Sequence, residues 1–168
     1  VDRFDFKNGF TYIPYHCKVA NQNPLTQSHD IFLSYSHTDD EAAAKLHGWL
    51  RGRGFSVFFD KKEIHEGELW LGRLQQAIDH CNSFIVLIGR EGVGRWVGAE
   101  TQVALNRYFS PHDDAKRLPI FPVMLGDCKP DTLPAFLRLF QATAWNGSDP
   151  LSDTLLEQIR NRAIVANK

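Results

Sequence analysis

Five short apolar runs alternate with segments of helical period from residue 30 onward, and this alternation constrains the fold more than any other feature of the chain. The runs are Ile31–Tyr35, Phe55–Phe59, Phe84–Ile88, Ile120–Leu125 and Ala142–Trp145. A run that is apolar without alternation suits a strand covered on both faces, the condition of a parallel sheet. The intervening segments carry helical signals. Thr38 and Glu41 have capping-box spacing, Ala43, Leu46 and Leu50 follow at helical intervals with Trp49 beside them, and Gly54 is a natural stop. Leu71, Leu74, Ile78 and Cys81 define the apolar face of a second helix, and a third runs over Arg95–Phe109. Pro130–Phe140 reads as a short helix or turn, and Leu151–Val165 as a closing helix. Strand alternating with helix implies right-handed crossovers. Five such strands predict a flavodoxin-like, three-layer α/β fold with a parallel sheet in the order 2-1-3-4-5. Pro122 is the weak point of the fourth strand, because proline donates no ladder hydrogen bond.

A chain of 168 residues accommodates one domain of this kind. Residues 1–29 lack a sustained period and carry turn signals at Asn8–Gly9 and Asn23–Pro24, with Phe10–Tyr15 as a candidate short strand. They read as an N-terminal extension or linker, and residues 30–168 as the domain. A net charge of −1 argues against a broad nucleic-acid-binding face. Cys17, Cys81 and Cys128 include no CxxC pair, and the seven histidines are scattered, with His16–Cys17 only a neighbouring pair. No disulfide framework and no metal site is expected. The longest clean apolar run, Phe84–Ile88, is far short of a membrane span, and no signal peptide is visible. The expected setting is reducing and cytoplasmic.

In open sheets of this order, ligands bind outside the carboxyl ends of the strands, where the strand order reverses between strands one and three. Ser34, Tyr35, Ser36 and His37 stand at the end of strand one, Asp60 and Lys61 after strand two, and Arg90 after strand three. The third helix begins at the same edge and carries Trp96 and Glu100 at spacing i, i+4, on one face. Glu100 lies on a stripe continued by Val103 and Ala104, and a carboxylate among apolar neighbours costs free energy unless it has a partner or a task. The structural alternative is an interfacial ion pair, with a loop amide or Arg95 as partner.

Other chemistries fit less well. Ser34 and Ser36 lie too close in sequence to His37 for a nucleophile–base alignment, and no strained G-x-S-x-G elbow is present, so helix-capping hydroxyls are the simpler reading. The segment Gly89-Arg90-Glu91-Gly92-Val93-Gly94 matches neither the dinucleotide nor the P-loop fingerprint and reads as a flexible loop. Asp39, Asp40 and Asp60 suggest a phosphoacceptor receiver, but the lysine expected after strand four is displaced to Lys129. Asp39 and Asp40 then serve as first-turn acids favoured by the helix dipole.

Asp30-Ile31-Phe32-Leu33-Ser34-Tyr35-Ser36, Gly54-Phe55-Ser56-Val57-Phe58-Phe59-Asp60, the later Gly67 and Trp70, and Trp96-Val97-Gly98-Ala99-Glu100 together resemble the Toll/interleukin-1-receptor (TIR) family over most of Asp30–Val165. The glycine-then-tryptophan pairing is similar to that of bacterial members. Two departures stand out. Glu66–Gly67 replaces the Pro-Gly of animal adaptors, and the late Phe-Trp pair is absent, with Ala144–Trp145 a loose substitute.

One branch of that family only associates with other TIR domains, as signalling adaptors and receptor tails. The other cleaves the nicotinamide–ribose bond of NAD, using a glutamate in a Trp-x-x-x-Glu setting like Trp96 to Glu100. The resemblance therefore implies an NAD nucleosidase, with ADP-ribose cyclisation as an alternative outcome, and a role as a bacterial defence effector. Glu100 is the implied catalytic residue. Ser34, Tyr35, Ser36, Asp60, Lys61, Arg90 and Trp96 are the candidate substrate contacts. NAD is then substrate rather than cofactor, and no cofactor is expected. Expected partners are further TIR domains, whose contacts order the loop Lys61–Glu68, and a fused or separate sensor. No membrane or nucleic-acid partner is expected. A non-catalytic TIR interaction module is the alternative.

Overall fold

The protein is seen here in a computed structural model that describes residues 28–59, 70–92, 95–109, 117–126, 128, 129, 131, 133–148 and 150–166, leaving aside the side chains of 70–73, 95–99 and 162–166. The strands are β1 (His29–Ser34), β2 (Val57–Phe58), β3 (Cys81–Ile88), β4 (Ile120–Leu125) and β5 (Thr143–Trp145). All neighbours pair in parallel, in the order β2-β1-β3-β4-β5. The helices are α1 (Asp40–Gly52), α2 (Trp70–Asp79), α3 (Arg95–Tyr108) and α4 (Asp153–Ala166). This is the flavodoxin-like three-layer fold that the alternation predicts.

Strand alternation divides the core in two. Phe32, Phe84, Val86 and Ile88 turn toward Leu74, Ala77 and Ile78 of α2 and Val103 and Ala104 of α3. Ile31, Leu33, Ile85 and Leu87 turn the other way, toward Ala43, Leu46 and Leu50 of α1 and Leu155, Leu156 and Ile159 of α4. A two-residue period on the strands thus hands alternate side chains to opposite layers. The parity of a residue decides which layer its chemistry joins.

Local signals account for several boundaries. Helix α1 ends in a Schellman arrangement: the Gly54 N–H donates to the Arg51 carbonyl at 3.0 Å and the Phe55 N–H to the Leu50 carbonyl at 3.3 Å. Gly54 takes the φ of +89° that this stop requires. The second strand is shorter than the run Phe55–Phe59 suggests, because its flanks have other partners. Phe55 closes the helix stop. Ser56 donates through its N–H and hydroxyl to the Asp30 carboxylate at 2.8 and 2.9 Å. Phe59 stacks between Tyr35 and His47, at centroid distances of 5.1 and 4.4 Å.

Three expectations need correction. The Thr38–Glu41 capping box does not form: a 3-10 turn (His37–Asp39) precedes α1, Asp39 is its N-cap residue, and no side chain caps it. The Thr38 hydroxyl donates to Ser36 Oγ at 3.1 Å, and Glu41 pairs instead with Lys45 at 2.7 Å, one turn on. Cys81 opens β3 rather than closing α2, although its Sγ still lies 3.2 Å from the Ala77 carbonyl. His29, read with the N-terminal extension, is the first residue of β1. The short helix or turn expected over 130–140 is met by a 3-10 turn at Leu137–Leu139. Pro122 likewise sits in β4 without conflict: pairing with β5 begins only at Val123, so the proline has a strand neighbour on one side alone. The candidate strand at residues 10–15, Cys17 and the loop 61–68 lie outside the described residues.

Candidate functional site

Ser34 is the last residue of β1, and its parity points it into the layer of α2 and α3. It sits in register with Val86 of β3, at the carboxyl edge where the strand order reverses. Helix α3 starts at that edge and runs back along the sheet. Its sixth residue, Glu100, meets Ser34 there, and the Ser34 hydroxyl donates to Glu100 Oε2. The pair is closed off from solvent, with Ser34 at 0% and Glu100 at 1% exposure. Thr101, the next residue, is also fully buried. A carboxylate so placed cannot recover hydration, so hydrogen bonds from protein donors must hold it.

The remaining candidates separate. Tyr35 follows Ser34 by one residue and therefore enters the opposite layer, where it is buried and stacked on Phe59. Ser36 is half-buried and accepts the Thr38 hydroxyl. Arg90 is exposed and lines a cleft of about 490 Å³ with Thr38, Asp39, Lys45, Asn146 and Ser148, beyond the carboxyl ends of β3, β4 and β5. Trp96 is the second residue of α3, with its side chain outside the described set. Asp60 and Lys61 lie outside the described residues altogether. His37 is exposed and stands 4.0 Å from Asp40, away from any serine–histidine alignment.

Three residues at this edge were not singled out in the sequence for the roles they take. Asp39 leans over the end of β3 instead of capping α1, its carboxyl group packed against the Gly89 backbone. Burial raises its pKa, the Gly89 amide opposes that shift, and Glu91 and Asp40 reinforce it. Asn146 and Ser148 follow β5, where the carboxyl-edge rule was available to find them. Among the described residues no cluster of histidine, cysteine or acidic side chains fits a metal ion, and no helix is long and apolar enough to cross a membrane.

The arrangement offers a fixed carboxylate, with a hydroxyl orienting it, at the sheet edge where open α/β folds take their ligands. Such a group stabilises positive charge in a weakly solvated space.

No curated protein matches the chain. Among solved structures, the TIR domain of the Toll-related receptor TRR-2 from Hydra magnipapillata has a TM-score of 0.56 at 18% identity, covering 84% of this chain and 100% of that one. A TIR-STING receptor from C. gigas in complex with 2',3'-cGAMP has a TM-score of 0.57 at 22% identity, over 84% of this chain and 39% of the receptor. At these identities the likeness concerns the fold. The family model for the TIR domain matches residues 31–160, from the third residue of β1 into α4 and through both Ser34 and Glu100, and the chain accordingly belongs to the TIR domain family.

Proposed function

We propose that this TIR domain is an NAD nucleosidase that cleaves the bond between nicotinamide and ribose, with Glu100 as its catalytic carboxylate. The observation that carries the reading is the buried Ser34–Glu100 pair at the switch point of the sheet. Glycoside hydrolysis ordinarily takes two carboxyl groups, because the leaving oxygen must be protonated. In NAD the leaving group is a pyridinium cation, so the C–N bond breaks with its electron pair and nicotinamide departs neutral. The positive charge passes to the ribose. One carboxylate can stabilise that cation and accept a hydrogen bond from a ribose hydroxyl. Water then adds its oxygen to the ribose carbon and releases a proton, giving ADP-ribose; capture by the adenine instead gives a cyclic product. Which one forms depends on water access during the second step.

Glu100 is shut away from solvent in the single chain, so a substrate ribose reaches it only after the site opens. That closure is the physical reason to expect activity conditional on assembly. Contacts between TIR domains, with a fused or separate sensor to promote them, fit a defence effector of the bacterial type. Arg90, exposed at the neighbouring cleft, is the described cation suited to the NAD diphosphate. The same burial favours one rival: a structural Ser34–Glu100 pair in a TIR domain that only binds other TIR domains.

Nicotinamide release from NAD, followed by chromatography over a series of protein concentrations, decides between them. The enzyme reading expects release, with specific activity rising as concentration rises. Absence of cleavage at every concentration, with self-association intact, would select the interaction module.

A further inference from the structure

The chain turns as soon as it leaves β3. Gly89 closes a turn with Gly92, whose N–H donates to the Gly89 carbonyl at 3.0 Å, and Gly92 takes a φ of +73°. Arg90 and Glu91 form the exposed tip of this turn. Asp39 lies directly over its first residue. A Cβ on Gly89 would overlap the Asp39 carboxyl group, whose Oδ2, at 2.6 Å, is the farthest of its three atoms from that position. A side chain fits there only if the Asp39 carboxyl group gives up its place. The carboxylate fills that space, set against the Gly89 backbone, whose amide lowers the acid's pKa.

This placement costs something locally. Asp39 is the N-cap residue of α1, where its side chain would ordinarily satisfy a free helix amide for about 1 kcal/mol, yet it makes no cap hydrogen bond. It also stands among like charges, facing Glu91 from the turn and Asp40 from its own helix. Lys45 on the same cleft wall is paired with Glu41, and His37 faces Asp40. The Asp39 backbone is itself tied down, its N–H donating to the Ser36 carbonyl at 2.9 Å. An acid in a costly setting, packed across the end of a neighbouring strand, acts on that strand.

We infer that Asp39 is a positioning residue: its carboxylate clamps Gly89 at the end of β3, setting the turn that presents Arg90 to the cleft and leads the chain to α3. The kinetic consequence rests on the NAD-cleaving reading, whereas the clamp itself does not.

Four variants of the full chain test it: Asp39→Ala, Asp39→Asn, Gly89→Ala and the double variant Asp39→Ala/Gly89→Ala. Gly89→Ala should melt below the parent, because the new methyl displaces the Asp39 carboxyl group. The double variant should melt above Gly89→Ala, because deleting the carboxylate makes room for the new methyl. In Asp39→Ala the Gly92 amide should exchange with solvent at least about tenfold faster, once its turn is no longer pinned. Asp39→Asn keeps a group of the same shape against Gly89 and should exchange like the parent. Asp39→Ala should also raise KM for NAD about tenfold with kcat changed less than twofold, and Asp39→Asn should restore KM. A double variant that melts below Gly89→Ala, or equal Gly92 exchange in the parent and Asp39→Ala, overturns the clamp. An unchanged KM in Asp39→Ala overturns its link to Arg90. Should the parent release no nicotinamide, the enzyme reading fails by itself, and the melting and exchange results still decide the clamp.

Discussion

Among the described side chains of α3, two charged ones face the protein interior, seven positions apart and so on one face, and they meet opposite ends of the sheet. Arg107, near the amino edge, is half-buried and donates from one guanidinium nitrogen to two backbone carbonyls, those of Ile78 and, at 2.8 Å, Cys81. It staples the end of α3 to the turn between α2 and β3. Burial depresses its pKa, with Asp79 opposing that effect, and the cation is spent on one carbonyl at the end of α2 and one at the start of β3. Glu100, toward the carboxyl edge, is more deeply buried and takes a hydrogen bond from a side chain, the Ser34 hydroxyl. A charge committed to backbone carbonyls joins elements of the fold. A charge oriented by a strand serine at the ligand edge suits chemistry. Charge and burial alone would not separate the two, whereas the partner and the end of the sheet do.

The widest separation should come from Glu100→Gln. The swap keeps shape and removes charge, so cleavage of NAD should fall a hundredfold or more, about 3 kcal/mol of barrier, at an unchanged melting temperature. A melting point lowered in step with activity would put Glu100 beside Arg107 as a structural charge. Arg107→Met should do the reverse. Leaving the Ile78 and Cys81 carbonyls without their cation should cost about 2–3 kcal/mol of stability in urea denaturation, with turnover per folded molecule unchanged. A fall in turnover at normal stability would erase the contrast from the other side. Ser34→Ala should fall between them, with about 1–2 kcal/mol lost through a less satisfied carboxylate and a loss of activity smaller than that of Glu100→Gln. Combining Ser34→Ala with Glu100→Gln should add less than the sum of the two stability changes.

The smallest effect concerns pH at the amino edge. Burial pushes the Cys81 thiol from its ordinary 9.0 up to about 12, against a lowering from Arg107 and with a smaller rise from Asp30. The folded protein therefore keeps a proton that the unfolded chain gives up above pH 9. Stability from this group is complete below that pH and is lost as pH rises toward 12. Between pH 9 and 10 the parent should lose on the order of 1 kcal/mol more than a Cys81→Ala variant. Parallel alkaline stability curves for the two proteins would place Cys81 in a more solvated site than its burial indicates.

Much of this comparison was legible before the fold was known. The apolar runs located all five strands, with β4 read at both boundaries, and the Trp96–Glu100 spacing on a single helix followed from periodicity. Glu100 stood out because it interrupts an apolar stripe. One of its partners did not: local neighbours are what sequence spacing reveals, whereas Ser34 reaches Glu100 across 66 residues. Tyr35 was grouped with Ser34 by adjacency, yet adjacency in a strand means opposite faces. The Thr38–Glu41 capping box had the right spacing and still did not form: Glu41 pairs with Lys45, and Asp39 turns to Gly89.

The sequence by itself determined what depends on local pattern. Strand and helix alternation imposed a parallel sheet with helices on both faces, and glycine stopped α1 where a left-handed residue was required. These follow from burial period and backbone sterics, which act over a few residues. Only the tertiary structure decided which side chains meet at the carboxyl edge: Ser34 with Glu100, Asp39 with Gly89, Arg90 with the cleft beyond β4 and β5. Those meetings depend on strand register and on how α3 lies against β1, and a single-residue shift would turn Ser34 into the other layer.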